Sequence, residues 1–584
     1  MTVLLSCRKI MKEFGEDTIL KNINFDIALG DRIGLVGING AGKSTLANII
    51  YGDMQADQGS ILWHKKDINL GYLYQSAQYS QRKWSGEYLS SEDEGYLKYF
   101  KELSSHLGIA YINTLDGYRI SNLSGGEKMK LALANIWSKN PDFIILDEPT
   151  NHLDYSGVSW LIEELKKYKG TILIISHDRY FLDKTVNKII EINNGESQTY
   201  YGNYSFYKEE KKCRFESQLH EFEIQEAQKA KIQEEINQLK DWSDKAHRDS
   251  RKKEVAGLGK KEYFRVKAKK RDKQIKSKIK RLEKIDLEGV KKPEEDKKIS
   301  FMFDEAKLKG NRIIEAKEIS KCFNDKVLFK NSSFYIKRGE RMGLFGANGC
   351  GKTTLLKILL GEVGLDEGEI FISNSISVGY LSQEALDIDK ELRIMDAFDI
   401  NSREEQGKVR TLLANMGFNE KMVYQRLNTL SLGEITRVRM TKLIIKQNDL
   451  LILDEPLNHL DIYSREKLEE ALKDYHGTII LVSHDRYMIQ NICEGILAFE
   501  GNKIIKITES PKEYLDNLEN KKLNKEQRKN QSSRNEKDIK EQRMLIENEL
   551  AYILGELSKF NPGTSQYEEL DKRFNELIIL KGKL

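Results

Sequence analysis

Long hydrophobic runs are missing from this 584-residue sequence: no stretch approaches the ~18 uninterrupted apolar residues that a membrane helix requires. A membrane-embedded chain is therefore not expected, and 39% hydrophobic against 32% charged residues suits a globular protein with long exposed helices. Cysteine is sparse as well. Its five copies, Cys7, Cys213, Cys322, Cys350 and Cys493, are scattered and never form a C-x-x-C pair. That pattern excludes a disulfide framework and a zinc site, and fits a reducing cytoplasm. The opening residues Met1-Thr2-Val3-Leu4-Leu5 show no basic segment, apolar core and small-residue cleavage site in succession, so export is not expected. Net charge is only +4, yet Lys245 to Lys284 holds 18 Lys/Arg against five Asp/Glu. The remainder is acidic, and that one segment points to a polyanionic partner.

What is present is stated twice. Gly37-Ile38-Asn39-Gly40-Ala41-Gly42-Lys43-Ser44 fits G-x-x-x-x-G-K-[ST], and Gly346-Ala347-Asn348-Gly349-Cys350-Gly351-Lys352-Thr353 fits it again. Thr45 and Thr354 follow. Each half continues with the same landmarks in the same order: Gln75 and Gln383, Ser124-Gly125-Gly126 and Ser431-Leu432-Gly433, Asp147-Glu148-Pro149 and Asp454-Glu455-Pro456, His177 and His484.

The short apolar runs Phe143 to Leu146, Thr171 to Ile175, Leu450 to Leu453 and Thr478 to Val482 read as buried parallel strands. Each ends on a polar residue, which places chemistry at the carboxyl ends of a doubly wound sheet. Both glycine loops follow a strand and open a helix. Their backbone N–H groups can therefore converge on phosphates, because glycine permits the backbone conformations and the close approach. Lys43 and Lys352 are placed to reach the β and γ phosphates, and the hydroxyls of Ser44 and Thr353 to take one Mg²⁺ position. Asp147 and Asp454, at strand ends, are candidates to hold Mg²⁺ through water. Phe14 and Phe323 are candidates to stack on adenine, an ordinary core aromatic being the competing reading.

This motif order resembles the ATP-binding cassette (ABC) superfamily, over roughly the first 200 residues and again from about 312 to 516. The resemblance implies that Glu148 and Glu455 are the catalytic bases and that His177 and His484 contact the γ-phosphate. It makes Gln75 and Gln383 the sensors of Mg²⁺ and nucleotide. It also implies that Ser124, Gly125 and Gly126, and Ser431 with Gly433, serve the nucleotide of the opposite cassette, so that Lys43 faces Ser431 and Lys352 faces Ser124. Leu432 stands where the first copy has Gly125, and Leu457 where it has Thr150. Unequal sites are the expectation, without a direction.

Between the copies, Ile232, Ile236, Leu239 and Trp242 recur at helical spacing, as do Ile275, Ile279, Leu282 and Ile285. Ala256-Gly257-Leu258-Gly259 breaks the pattern between them. The expectation is a long antiparallel helical hairpin with a basic shaft and a tip near residues 250 to 264. Two cassettes joined by such a hairpin, with Asn151-His152-Leu153-Asp154 and Asn458-His459-Leu460-Asp461 after the acidic motifs, resemble the ABC-F family. That resemblance implies a cytoplasmic ATPase using ATP and Mg²⁺, with the ribosome as partner, its hairpin entering the tRNA exit region toward ribosomal RNA and the P-site tRNA. Lys and Arg neutralise RNA phosphates and release counterions. His247, Arg248, Arg251, Lys252, Lys253, Lys260, Lys261, Tyr263, Phe264 and Arg265 are the candidate RNA contacts; a solvated coiled-coil spacer or dimer arm is the plainer reading.

Ile546, Leu550, Ile553 and Leu557, then Tyr567, Leu570, Phe574 and Leu577, flank Asn561-Pro562-Gly563 and read as a second, shorter hairpin. The expected organisation is α/β: P-loop cassettes over 1–203 and 293–516, an interdomain hairpin over 204–292, and a helical extension over 517–584, in a monomer that closes on itself. The hairpin, the short region from Gln75 to Ser124 and the extension resemble the antibiotic-resistance branch, which acts on lincosamides, pleuromutilins and streptogramin A. A housekeeping translation factor and the ATP-binding subunit of a membrane transporter are the alternatives.

Overall fold

The computed structural model describes residues 2–74, 125–151, 153–252, 258–290, 292, 312–323, 326–373, 376–382, 391–398, 400, 402–446, 448–458, 460–557, 559 and 564–583. These fall into two compact units, 1–493 with 497–506, and 494–496 with 507–584.

In the first unit the duplicated sequence folds twice into the same α/β layers. The first copy builds β1 (Val3–Phe14), β2 (Asp17–Ala28), β3 (Arg32–Val36), β4 (Gln58–Trp63), β5 (Leu70–Leu73), β6 (Phe143–Asp147), β7 (Thr171–Ile175), β8 (Lys188–Asn193) and β9 (Glu196–Tyr201). They form one sheet in the order β4-β1-β2-β9-β8-β3-β7-β6-β5. β5, β6, β7, β3 and β8 run parallel to one another, β8 pairs antiparallel with β9, and β1 pairs antiparallel with β2 and β4. Every residue of β6 and β7 is buried, as continuous Ile/Leu runs demand when helices cover both faces. Those helices are α1 (Lys43–Tyr51), α2 (Gly125–Ser138), α3 (Tyr155–Lys167) and α4 (Arg179–Thr185).

The hairpin follows as α5 (Tyr204–Lys252) and α6 (Leu258–Glu288). Its root is sunk in the first copy: Tyr204 and Tyr207 join Tyr200 in the core. Along the shaft Ile232, Ile236 and Ile275 are buried, with Leu239, Leu282 and Ile285 packed against them. Trp242 and Ile279, expected in the same seam, are exposed. Trp242 instead carries the Arg271 guanidinium over its ring at 5.5 Å. Lys229–Asp286 at 2.7 Å and Ser243–Asp272 at 2.9 Å tie the helices in antiparallel register.

The second copy repeats the plan as β10 (Arg312–Phe323), β11 (Lys326–Lys337), β12 (Arg341–Phe345), β13 (Glu367–Ile372), β14 (Val378–Leu381), β15 (Leu450–Asp454), β16 (Thr478–Val482), β17 (Gly495–Glu500) and β18 (Lys503–Ile507). Here the strands separate into β11-β10-β13 and β14-β15-β16-β12-β17-β18. Its helices are α7 (Lys352–Leu359), α8 (Arg403–Asn415), α9 (Leu432–Ile445), α10 (Ile462–Lys473) and α11 (Arg486–Ile492). In the second unit α12 (Pro511–Leu557) packs with α13 (Ser565–Lys583), burying Ile553 and Leu577 and pairing Arg573 with Glu549 and Lys581 with Glu547.

Candidate nucleotide sites

The carboxyl ends of β3, β7 and β6 lie side by side, and so do those of β12, β16 and β15. Parallel pairing of adjacent strands thus gathers the glycine loop, the histidine and the acidic pair of each copy, although the loop lysine lies more than a hundred residues before the other two. Gly42 and Gly351 cap α1 and α7 in the left-handed conformation, with φ 92° and 108°. A Cβ on Gly42 would lie 2.7 Å from side-chain atoms of Ile19 and Leu20. The loop is closed against β2 at a spacing only glycine allows.

Lys43 is buried and bends back, its Nζ donating to the carbonyls of Gly37 and Ile38 at 2.9 Å each. Lys352 does the same to Gly346 at 2.8 Å and Ala347 at 3.2 Å. Burial pulls the Lys43 ammonium below its usual range, with Glu148, Asp461 and Asp147 opposing the shift. Thr353 Oγ1 donates to Asp454 Oδ2 at 3.1 Å, and Ser44 hydrogen-bonds Asp147.

Glu148 and Glu455 adopt left-handed backbone, φ 51° and 49°, a strain of about 1–3 kcal/mol each for a side chain of this kind. Their N–H groups are held by the carbonyls of Ile175 at 2.8 Å and Val482 at 2.9 Å. The turn thereby aims each carboxyl along the strand ends, where Glu148 Oε1 sits 3.5 Å from His177 Nε2 and Glu455 Oε1 3.6 Å from His484 Nε2. Burial raises the two carboxyls to about 7 and about 8. Burial also drives His177 well below its ordinary range and His484 down to about 4, so both imidazoles are neutral near pH 7.

The copies meet across these loops. Asp461 accepts from Ser464 N with Oδ1, capping α10, and from Asn39 N in the first glycine loop with Oδ2 at 2.8 Å. Asp154 caps α3 likewise and reaches Asn348 N at 3.3 Å. Tyr155 meets Phe345, and the Arg179 and Arg486 guanidiniums lie over Tyr487 and Tyr180 respectively. Each glycine loop therefore meets an acidic residue of the other copy. Sequence reasoning assigned Asp154 and Asp461 no such role; their signal was an N-cap aspartate repeated at the motif offset.

Ser431 caps α9 and shares a reciprocal pair of bonds with Glu434. Leu432 is exposed at the first position of that helix. Phe14 and Phe323 are half-exposed at the ends of β1 and β10 under Lys12 and Lys321. Arg248 is exposed on the hairpin shaft. Gln75, Ser124, His152, Lys253, Gln383, His459, Pro293 and Asn561-Pro562-Gly563 lie outside the described residues, as do the side chains of His247, Arg251, Lys252, Lys260, Lys261, Tyr263, Phe264 and Arg265.

The groups present fit a magnesium nucleotide. Among the described residues, Asp147 Oδ1, Glu148 Oε1, His177 Nδ1 and Glu455 Oε1 are buried without a hydrogen-bond partner, an expensive arrangement in a closed core and a natural one beside a polar ligand. No cluster of three or more metal-ligating side chains occurs there. One carboxylate and one hydroxyl per site is the sparse oxygen set of Mg²⁺, which keeps waters and takes phosphate oxygens.

Comparison with known proteins agrees. A family profile described as "ABC transporter" matches residues 20–151 and 329–458, and an extension profile of the same description matches 190–303. The ribosome protection protein VmlR of Bacillus subtilis is 38% identical over 582 residues, 99% of this chain and 97% of that protein. ABC transporter F family member 2 of Arabidopsis thaliana is 32% identical over 540 residues, 84% of this chain and 75% of that protein. The chain belongs to the ABC-F family. The ATP-binding protein Uup of Escherichia coli is 31% identical across 85% of this chain and 80% of that protein. This ABC-F chain carries two cassettes, and it is an ATPase. Among solved structures, the archaeal ribosome recycling factor aABCE1 in complex with stalk protein aP1 superposes with a TM-score of 0.56 at 20% identity, covering 87% of this chain and 92% of that one. That likeness concerns the fold.

Proposed function

We propose that this ATPase binds the ribosome in its ATP-closed form, places the hairpin against ribosomal RNA and the P-site tRNA, and protects against large-subunit antibiotics of the lincosamide, pleuromutilin and streptogramin A classes. The observation that carries the reading is end-to-end similarity to a ribosome protection protein, hairpin and C-terminal helices included. The chemistry of the shaft supports it: basic residues crowd a long helix pair rooted in the first cassette, the footprint of a polyanion binder. Among the described residues no helix is long and apolar enough to cross a membrane.

The proposed mechanism follows from the site. Lys43 and Lys352 leave their loop carbonyls to take phosphate oxygens of ATP, and the Ser44–Asp147 and Thr353–Asp454 pairs would hold Mg²⁺. The metal's contribution there is to neutralise phosphate charge. Glu148 and Glu455 orient the attacking water and accept its proton, a task suited to carboxylates raised toward neutrality. Neutral His177 and His484, beside these carboxyls, donate toward the γ-phosphate. ATP favours closure because each glycine loop already faces the other cassette's aspartate, so nucleotide there touches both halves only when they are together. Hydrolysis removes that difference and releases the protein.

The test is sedimentation with 70S ribosomes. The Glu148→Gln/Glu455→Gln protein is expected to pellet with ribosomes in ATP and not in ADP; an ATP-bound double variant that stays in the supernatant refutes the reading. Loss of drug tolerance on deleting residues 250–264, with growth unimpaired, separates resistance from a housekeeping role.

A further inference from the structure

Arg465 stands one turn into α10 of the second cassette, its side chain 12% exposed. Its Nε donates to the carbonyl of Leu460 at 3.0 Å, and its Nη1 to Asp485 Oδ2 at 3.3 Å. Both partners face the first cassette. Leu460 precedes Asp461, which takes the Asn39 N–H of the first glycine loop. Asp485 follows His484, and its Oδ1 lies 3.5 Å from Nη2 of Arg179, two residues past His177. One guanidinium thus braces the turn that touches the first glycine loop and the carboxylate that the two histidine segments share.

Its charge falls in the same place. The charge acts on His177 and Asp178 of the first cassette. No mirror image exists: at the offset of the repeat, Val158, Ser159 and Ile162 stand where the second cassette has Arg465, Glu466 and Glu469.

We propose that Arg465, supplied by the second cassette, is a positioning residue for ATP hydrolysis at the site of Lys43 and Glu148, and not at the site of Lys352 and Glu455. The two sites differ, on this account, because only one receives a cation from the partner cassette. The arrangement couples turnover at the first site to closure, since the brace acts there only while Asp461 and Arg179 are in place.

The inference rests on the reading that each glutamate serves its own site, and the experiment separates the two. In full-length protein, Glu455→Gln leaves the Lys43 site to turn over and Glu148→Gln leaves the Lys352 site. Arg465→Gln is expected to lower kcat about ten-fold in the Glu455→Gln background with KM for ATP changed less than about three-fold, and to change kcat less than about two-fold in the Glu148→Gln background. Arg465→Lys, which retains the charge and a donor, should recover most of the lost kcat. Equal losses in both backgrounds, a loss carried by KM, or a lysine variant no better than glutamine overturns the proposal alone. Wild-type turnover by Glu148→Gln/Glu455→Gln overturns the glutamate assignment and the proposal together.

Discussion

Arg179 of the first cassette is gripped by Glu469 of the second: Nη1 meets Oε2 at 3.2 Å, Nη2 binds Oε1, and both side chains are almost wholly buried. Burial opposes the guanidinium's charge, Asp485 and Glu469 maintain it, and Glu466 lies 3.9 Å away. Glu466 in turn meets Lys208, on the hairpin root, at 2.5 Å. A continuous set of charges therefore joins the hairpin root to the histidine segments of both cassettes.

The two ends of that set differ in burial, and so in consequence. Glu469→Ala takes the bidentate partner from a buried guanidinium and should cost about 3–5 kcal/mol of stability. Lys208→Ala removes a pair whose lysine is 59% exposed, and should cost less than about 1 kcal/mol. Urea unfolding of the two variants checks the ranking; comparable losses would show that the buried pair is not the stabilising one.

Both glutamates carry a pH signature. Their folded pKa values, about 7 and about 8, lie above the ordinary 4.5. A raised carboxyl contributes stability that is complete below the unfolded value and is lost as pH rises through the folded one. Nucleotide-free wild type should thus lose ground to Glu148→Gln/Glu455→Gln between pH 5 and pH 8, by a few degrees in melting temperature. A constant difference across that range would mean that the carboxyls titrate normally. Catalysis runs the other way, with the wild-type rate falling as pH drops below about 7 and the base protonates.

Backbone conformation can be tested at two glycines that share a φ near +95° but not their surroundings. Gly52 ends α1 with nothing near a new Cβ, whereas Gly42 would push one into Ile19 and Leu20. Gly52→Ala should cost about 1–2 kcal/mol, the penalty of left-handed backbone, with ATP affinity intact. Gly42→Ala should weaken ATP binding at least about ten-fold by moving the loop. Fluorescent-nucleotide titration distinguishes them.

Much of this architecture was legible in the sequence because its signals are local. A glycine loop between strand and helix, or an apolar run ending in Asp-Glu, implies its own surroundings through a few neighbouring residues. Less visible were features arising from contacts between distant segments. Nothing near Arg179 announces Glu469, 290 residues on, and no propensity predicts that Glu148 should adopt left-handed backbone. The repeat did hold one unused clue: aligning the copies sets Arg465 against Val158, a charge facing no charge, where a one-sided contact belongs.

Helical periodicity was right about the hairpin in kind and incomplete in detail, and the difference is measurable. Spacing alone placed Ile236 and Trp242 in one seam, yet Ile236 is 2% exposed and Trp242 is 55% exposed. A two-helix seam alternates spacings of four and three, so after Ile232, Ile236 and Leu239 the seam position is Ser243, which is buried and bonds Asp272, and Trp242 falls one residue short of it. Ile236→Ala empties a buried position and should cost about 2–4 kcal/mol locally. Trp242→Ala removes an exposed ring and its stacked Arg271, and should cost about 1 kcal/mol or less. Hydrogen exchange along α5 and α6 reads this directly: protection should collapse around residues 232–239 and 275–282 for Ile236→Ala and persist there for Trp242→Ala. Equal loss in both would place Trp242 inside the seam.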